Sequence, residues 1–195
     1  VHNVNRPVLM DGHAVRVVDG RTGLIELEIP LTKQDAEEIR DIAVFRDDQR
    51  LYVNLQRNTR STWRTNSFAS ETYLPNVRIH GELRAYRRQT GELMWSRNIP
   101  QCVVPHVADF QDAGLVTLSR ISWRGRYFLQ VAAYHAETGQ LLGRRRDILS
   151  HRIVQGNYNA DTHTLELQTL KSKISLQLRN QPVLDGGAQP LAARR

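Results

Sequence analysis

Apolar and polar residues alternate along most of this chain. Leu51, Val53 and Leu55 are separated by Tyr52 and Asn54, Leu165 and Leu167 by Glu166, and Ile174, Leu176 and Leu178 by Ser175 and Gln177. A period of two sends successive side chains to opposite faces of an extended backbone. These runs therefore predict strands with one apolar face toward a core and one polar face toward water. Only "TKQDAEEIR", residues 32–40, has helical character: Thr32 is placed to cap, and Asp35 to Glu38 suit a first turn near the positive end of a helix dipole. The expected fold class is all-β, with a turn or two of helix in one connection.

Two families of turn separate the runs. Asp11-Gly12, Asp47-Asp48, Asp112-Ala113-Gly114 and Asp161-Thr162 each stand between alternating segments, as tight hairpins require. The second family is Thr22-Gly23, Thr90-Gly91 and Thr138-Gly139, where glycine can enter positive φ without a Cβ clash. Aligned on these pairs, "VVDGRTGLIEL" (17–27), "AYRRQTGELMW" (85–95) and "AYHAETGQLLG" (133–143) superpose without gaps, at intervals of 68 and 48 residues. The longer interval holds an extra segment, roughly 57–77, "RNTRSTWRTNSFASETYLPNV".

All-β repeats of about 40–50 residues fit the four-stranded blades of a β-propeller. The expectation is a partial propeller of three to four blades, each of about four antiparallel strands, in units at about 7–31, 42–100, 103–149 and 152–178. One unit runs Ile42–Phe45, Arg50–Gln56, Gly81–Tyr86 and Glu92–Ile99; the next runs His106–Phe110, Leu115–Trp123, Tyr127–Tyr134 and Leu141–Ile148. Residues 181–195 carry no apolar period and are expected to be a mobile tail. The Thr-Gly stretch recurs, on this view, because every blade needs an outer hairpin, and a blade hides its flat faces on its neighbours.

The stretch "AYRRQTGELMWSRNIP" resembles the repeat of pyrroloquinoline-quinone-type β-propellers, which commonly read Ala-x-Asp-x-x-Thr-Gly-x-x-x-Trp. The resemblance covers residues 7 to about 178, with one good copy, two degraded ones and a fourth unit matched by strand spacing. The motif tryptophan is present at Trp95, with Leu27 and Gly143 at the equivalent places; the motif aspartate is kept at Asp19 and replaced by Arg87 and His135. Such propellers have about seven or eight blades, so the resemblance implies the C-terminal part of a larger propeller whose remaining blades lie upstream of Val1. The absence of an initiator Met at Val1-His2-Asn3-Val4 agrees with that expectation.

What the resemblance implies about function is divided. Some relatives are periplasmic quinone-dependent alcohol or sugar dehydrogenases, with a vicinal cysteine disulfide and a calcium ion beside the quinone. Others hold no cofactor and serve as assembly or interaction platforms of the bacterial envelope. Here Cys102 is alone, and the one local acidic cluster, Asp35, Glu37 and Glu38, reads as a solvated helical turn. The expectation is a non-catalytic binding or scaffold domain in the cell envelope or periplasm, holding no cofactor and taking a protein or small ligand on one propeller face. The first alternative is a quinone-dependent dehydrogenase fragment using the quinone with calcium.

Charge and chemistry add a little. The net charge is +7, which favours polyanions and supplies a second alternative, a polyanion-binding surface. That charge is scattered through alternating strands, so nucleic acid is not the expected partner. No run of about 18 apolar residues exists to span a bilayer. The seven histidines show no metal spacing, and neither a hydrolase elbow nor a phosphate-cradling glycine motif is present; no catalytic residue is assigned.

The candidate partner-binding loop is the extra segment, where Arg57, Arg60 and Arg64 flank Trp63, with Phe68 and Tyr73 beyond; arginine and tryptophan are common interface anchors. The structural signature of the repeat is Asp19, Thr22, Gly23, Thr90, Gly91, Trp95, Thr138 and Gly139, with Trp95 expected to dock one blade on the next. Arg144, Arg145 and Arg146 are expected on an outer strand, facing alternately and guarding an edge.

Overall fold

The computed structural model describes residues 8–57, 72–124, 126–148 and 152–179. These residues form antiparallel sheets, and within each sheet the strands pair in the order of the sequence. The first sheet holds β1 (Val8–Met10), β2 (Ala14–Val18) and β3 (Ile25–Pro30). The second is a seven-stranded ladder: β4 (Ile39–Arg46), β5 (Arg50–Arg57), β6 (Asn76–Arg87), β7 (Leu93–Pro105), β8 (Gly114–Trp123), β9 (Arg126–His135) and β10 (Leu141–Ile148). The third holds β11 (Ile153–Asn159), β12 (Thr164–Thr169) and β13 (Lys173–Gln177). The one α-helix among the described residues, α1 (Lys33–Glu38), begins where Thr32 is placed to cap it. Thr32 Oγ1 accepts from the Asp35 amide at 3.1 Å, and the Asp35 carboxylate accepts from the Thr32 amide at 3.3 Å. That reciprocal pair is a capping box closed by aspartate.

The Thr-Gly hairpins are three copies of one turn. The backbone amide of Gly23, Gly91 or Gly139 donates to the carbonyl four residues back, on Asp19, Arg87 or His135, each at 2.8 Å. The three glycines sit at φ +71°, +70° and +66°, a left-handed conformation that L side chains resist. The threonine hydroxyl oxygen accepts from the amide two residues on, at 3.3, 3.3 and 3.4 Å. The aspartate turns form a second set. Asp11 Oδ1 accepts from the amides of His13 and Ala14, and Asp47 Oδ1 from those of Gln49 and Arg50. Between β11 and β12 this part is played by Asn159, which accepts from Thr162, and not by Asp161.

Three buried clusters lie between successive layers. Val15, Val17, Leu27 and Ile29 of the first sheet meet Val44, Leu51, Val53 and Leu55 of β4 and β5. The opposite side of those strands, with Phe45 and Tyr52, meets Trp95, Leu115, Ala132 and Tyr134. The other face of β8 and β9, with Leu118, Leu129 and Val131, meets Leu165, Leu167, Ile174 and Leu176 of the third sheet. β5 therefore buries both faces, which corrects the expectation of a solvated side at Tyr52 and Asn54: both are buried. Asn54 is accommodated because its amide donates to the carbonyls of His80 and Glu82, and its oxygen accepts from His80 N–H, all at 3.0 Å. A buried amide is stable only when so satisfied.

Two further expectations are corrected. No strand forms at 106–110; Ala108–Phe110 is a 3-10 turn. Val107 and Phe110 are both buried, and their separation of three residues suits one side of a helical turn but not one face of a strand. The strand preceding β8 is instead the far end of β7, which joins it through Val103 and Leu118. β6 starts at Asn76, not Gly81, because Val77 and Ile79 already pair with Val104 and Cys102 and enter the core. Gly81, at φ +85° beside a register shift, interrupts the alternation there.

Candidate functional site

Beside Gly81, where the β6–β7 register shifts, a cleft of about 720 Å³ is lined by residues of β5, β6 and β7. Its polar lining is Arg57, His80, Glu82, Ser96, Arg97 and Asn98, and Gly81, Ile99 and Pro100 complete it. Gly81 is required: a Cβ there would lie 3.1 Å from the Leu55 carbonyl oxygen, at a φ that favours glycine. Arg57, the last residue of β5, ties this place to α1, since its guanidinium reaches Asp35 at 2.7 Å, Glu38 at 3.0 Å and Glu82 at 3.1 Å. Hydrogen bonding to Glu38 raises the Arg57 pKa above the ordinary arginine value despite partial burial.

Glu82 is the hub. Its carboxylate also accepts from Arg84 Nε at 2.7 Å and from Ser96 Oγ at 2.9 Å. Burial pushes its pKa up, but hydrogen bonds from Arg84, Ser96 and Arg57 outweigh it and hold the group below the usual glutamate range. Glu82 thus holds the Ser96 hydroxyl in the same network as Arg57 and Arg84. Arg97 lies with its guanidinium 5.4 Å from the Tyr134 ring centroid, within cation–π range. The cleft supplies fixed donors and acceptors for a polar ligand. Arg57 alone engages three acids here, Asp35, Glu38 and Glu82. Among the described residues, no group of three or more His, Cys, Asp or Glu is arranged to hold a metal ion.

Of the candidate loop residues, Arg57 and Tyr73 are described, while Arg60, Trp63, Arg64 and Phe68 lie outside the described residues. Tyr73 is at the third sheet: its amide donates to the Ile153 carbonyl at 2.8 Å and its exposed ring lies 5.0 Å from the Arg152 guanidinium carbon. Asp19 caps its own turn, accepting from Arg21 and Thr22 amides at 2.7 and 3.2 Å. Trp95 lies over the next Thr-Gly turn, and its indole N–H donates to the Ala136 carbonyl at 2.7 Å. Arg144, Arg145 and Arg146 are exposed on β10, the edge of the seven-stranded ladder. From there Arg145 Nη1 donates to the Ser175 carbonyl at 2.7 Å.

Sequence reasoning missed the cleft and also Arg50, a buried cation between layers. Arg50 Nη1 reaches Asp47 at 2.9 Å, and its Nη2 and Nε reach Glu137 Oε1 at 2.7 and 3.0 Å. Burial works against its charge, but the hydrogen bonds to Glu137 and Asp47 prevail and raise its pKa. The one signal for the cleft was Gly81 inside an alternating run, the usual mark of a bulge.

Among the described residues no helix is long and apolar enough to cross a membrane. No protein-family model and no curated protein matches the chain.

Proposed function

We propose that this chain is a non-catalytic binding or scaffold domain, made of stacked propeller-type blades, that presents a polar ligand or protein partner with the cleft around Glu82. The observation that carries this reading is the cleft itself. It lies beside β5, a strand buried on both faces, its Arg57 and Glu82 are held by an ion pair at 3.1 Å, and Arg57 is the last described residue before the 58–71 segment. Binding residues are commonly carried on connections between the elements of a rigid scaffold. The resemblance of the Thr-Gly repeat to quinone-type propellers supports the blade reading and a bacterial envelope or periplasmic setting, with further blades upstream.

The test uses the full chain, a variant lacking residues 58–71, and Arg97→Ala/Asn98→Ala. Both variants are expected to keep the far-UV spectrum and melting temperature and to lose the partner captured by the parent chain. Unchanged capture in both overturns the proposal. Titration with the quinone and calcium forms a separate arm: a shifted absorbance with dye-linked alcohol oxidation would replace it with the dehydrogenase reading. Capture that falls steeply with salt would replace it with polyanion binding.

A further inference from the structure

Several arginines on the strands of this chain are matched by acids. Arg16 meets Asp11 and Glu28, Arg50 meets Asp47 and Glu137, and Arg145 meets Asp147 at 3.3 Å. Two neighbours of Arg145 on β10 are not. Arg144 and Arg146 are exposed, and neither forms an ion pair with a described residue.

The register of β9 and β10 decides where these two point. Cross-strand partners share a face of a sheet, and Arg144 pairs with Ala132 and Arg146 with Gln130. Arg145, between them, turns the other way and donates to the Ser175 carbonyl of the third sheet at 2.7 Å. The side that carries Ala132 and Tyr134 packs on Trp95 and Ile99 of β7. Arg97 stands between those two residues in a strand of period two, so it shares their face, and its guanidinium carbon lies 5.4 Å from the Tyr134 ring centroid. Burial raises the Tyr134 pKa, and Arg144 and Arg97 both act against that shift, so the two cations lie about one phenol. Arg146 is the next alternate position, about 7 Å further along β10, where its Nε donates to the Gln130 side-chain oxygen at 3.2 Å. At the strand positions named here on either side there is no carboxylate.

We propose that Arg144 and Arg146, with Arg97 from the facing layer, form a site for a phosphoryl group. A guanidinium presents paired N–H donors that match two oxygens of a phosphate. Two cations on one face without an acid partner suit a divalent group. A phosphate ester carries close to two negative charges at neutral pH, its second pKa being about 6, whereas a carboxylate carries one. Edge protection is served by charge on either side of β10 and gives no reason for Arg97 to stand across from Arg144. Arg97 also lines the Glu82 cleft, but Arg144 and Arg146 do not.

The test is calorimetric titration of the full chain with inorganic phosphate, phosphoserine and acetate at fixed ionic strength in chloride. It is repeated on Arg144→Gln/Arg146→Gln, on Arg144→Lys/Arg146→Lys and on Arg145→Gln, each checked for an unchanged far-UV spectrum. The parent and Arg145→Gln are expected to bind a phosphoryl probe alike, and the double glutamine variant to bind it about tenfold or more weakly. The double lysine variant, which keeps the charge and gives up the paired donors, should fall between them. Tighter binding of inorganic phosphate identifies the free ion as ligand, and tighter binding of phosphoserine an ester. Affinity should also fall from about pH 7.5 to about pH 5 as the probe loses its second charge. No binding of either phosphoryl probe, or acetate bound as tightly, overturns the proposal. So does equal binding by the parent and the double glutamine variant, or an equal loss in Arg145→Gln. Because Arg144 and Arg146 lie outside the cleft lining, loss of phosphate binding and loss of partner capture are separate results.

Discussion

Trp95→Ala removes the side chain on which two layers meet. The indole is 9% exposed, lies over Gly139, stands 6.0 Å from the Tyr52 ring and donates to the Ala136 carbonyl at 2.7 Å. Truncating a buried tryptophan to alanine costs about 3–5 kcal/mol, of which about 1–3 kcal/mol reflects a buried polar partner left without its hydrogen bond. The surroundings have little freedom to refill the gap, since Gly139 contributes no side chain and its turn is fixed by the Gly139 amide to His135 carbonyl bond. In a domain of this size each kcal/mol shifts the melting temperature by about 2–4 °C, so a fall of roughly 6–20 °C is expected. Trp95→Phe keeps most of the ring and loses the indole donor, and its loss should be intermediate. Thermal and urea unfolding followed by circular dichroism measure both. A Trp95→Ala melt within 2 °C of the parent would refute the docking argument, as would equal losses in the two variants.

Arg50→Met leaves the buried Asp47 carboxylate without its cation and Glu137 without its tether; breaking such a pair costs about 3–5 kcal/mol, and a urea midpoint unchanged at equal m would contradict this. Stability should also fall in acid. Asp35 is held below the ordinary carboxylate range chiefly by the Thr32 hydroxyl and also by Arg57, and Glu82 is lowered because its hydrogen bonds outweigh burial. Groups whose folded pKa is depressed add stability above the unfolded value, near 4, and lose it as pH falls through the folded values. The urea midpoint should therefore hold steady from pH 7 to about 5 and then decline, with a shallower decline in Glu82→Gln; a flat profile to pH 3 would be inconsistent with the network.

The hairpins were readable because turn chemistry is local. Asp47 reaches amides two and three residues away, Gly91 a carbonyl four residues back, and the Thr32 cap an amide three residues on. A short window of sequence contains every atom in such a motif, so residue type alone predicts it. The Ala108–Phe110 turn escaped because an apolar pair three residues apart was absorbed into a strand register.

The amino-acid order by itself determined the alternating strands, the capped helix and three superposable Thr-Gly turns, all products of backbone sterics and hydrogen bonds within a few residues. Tertiary structure alone decided that β5 buries both faces, that Arg50 joins Glu137 across 87 residues, and that Trp95 finds Ala136 across 41. It also placed the cleft, which lies beside Gly81, where the β6–β7 register shifts and the backbone passes close to the Leu55 carbonyl. Partners separated by so much chain are selected by burial and shape when layers meet, and a period of two has no information about which layer will lie on the other side.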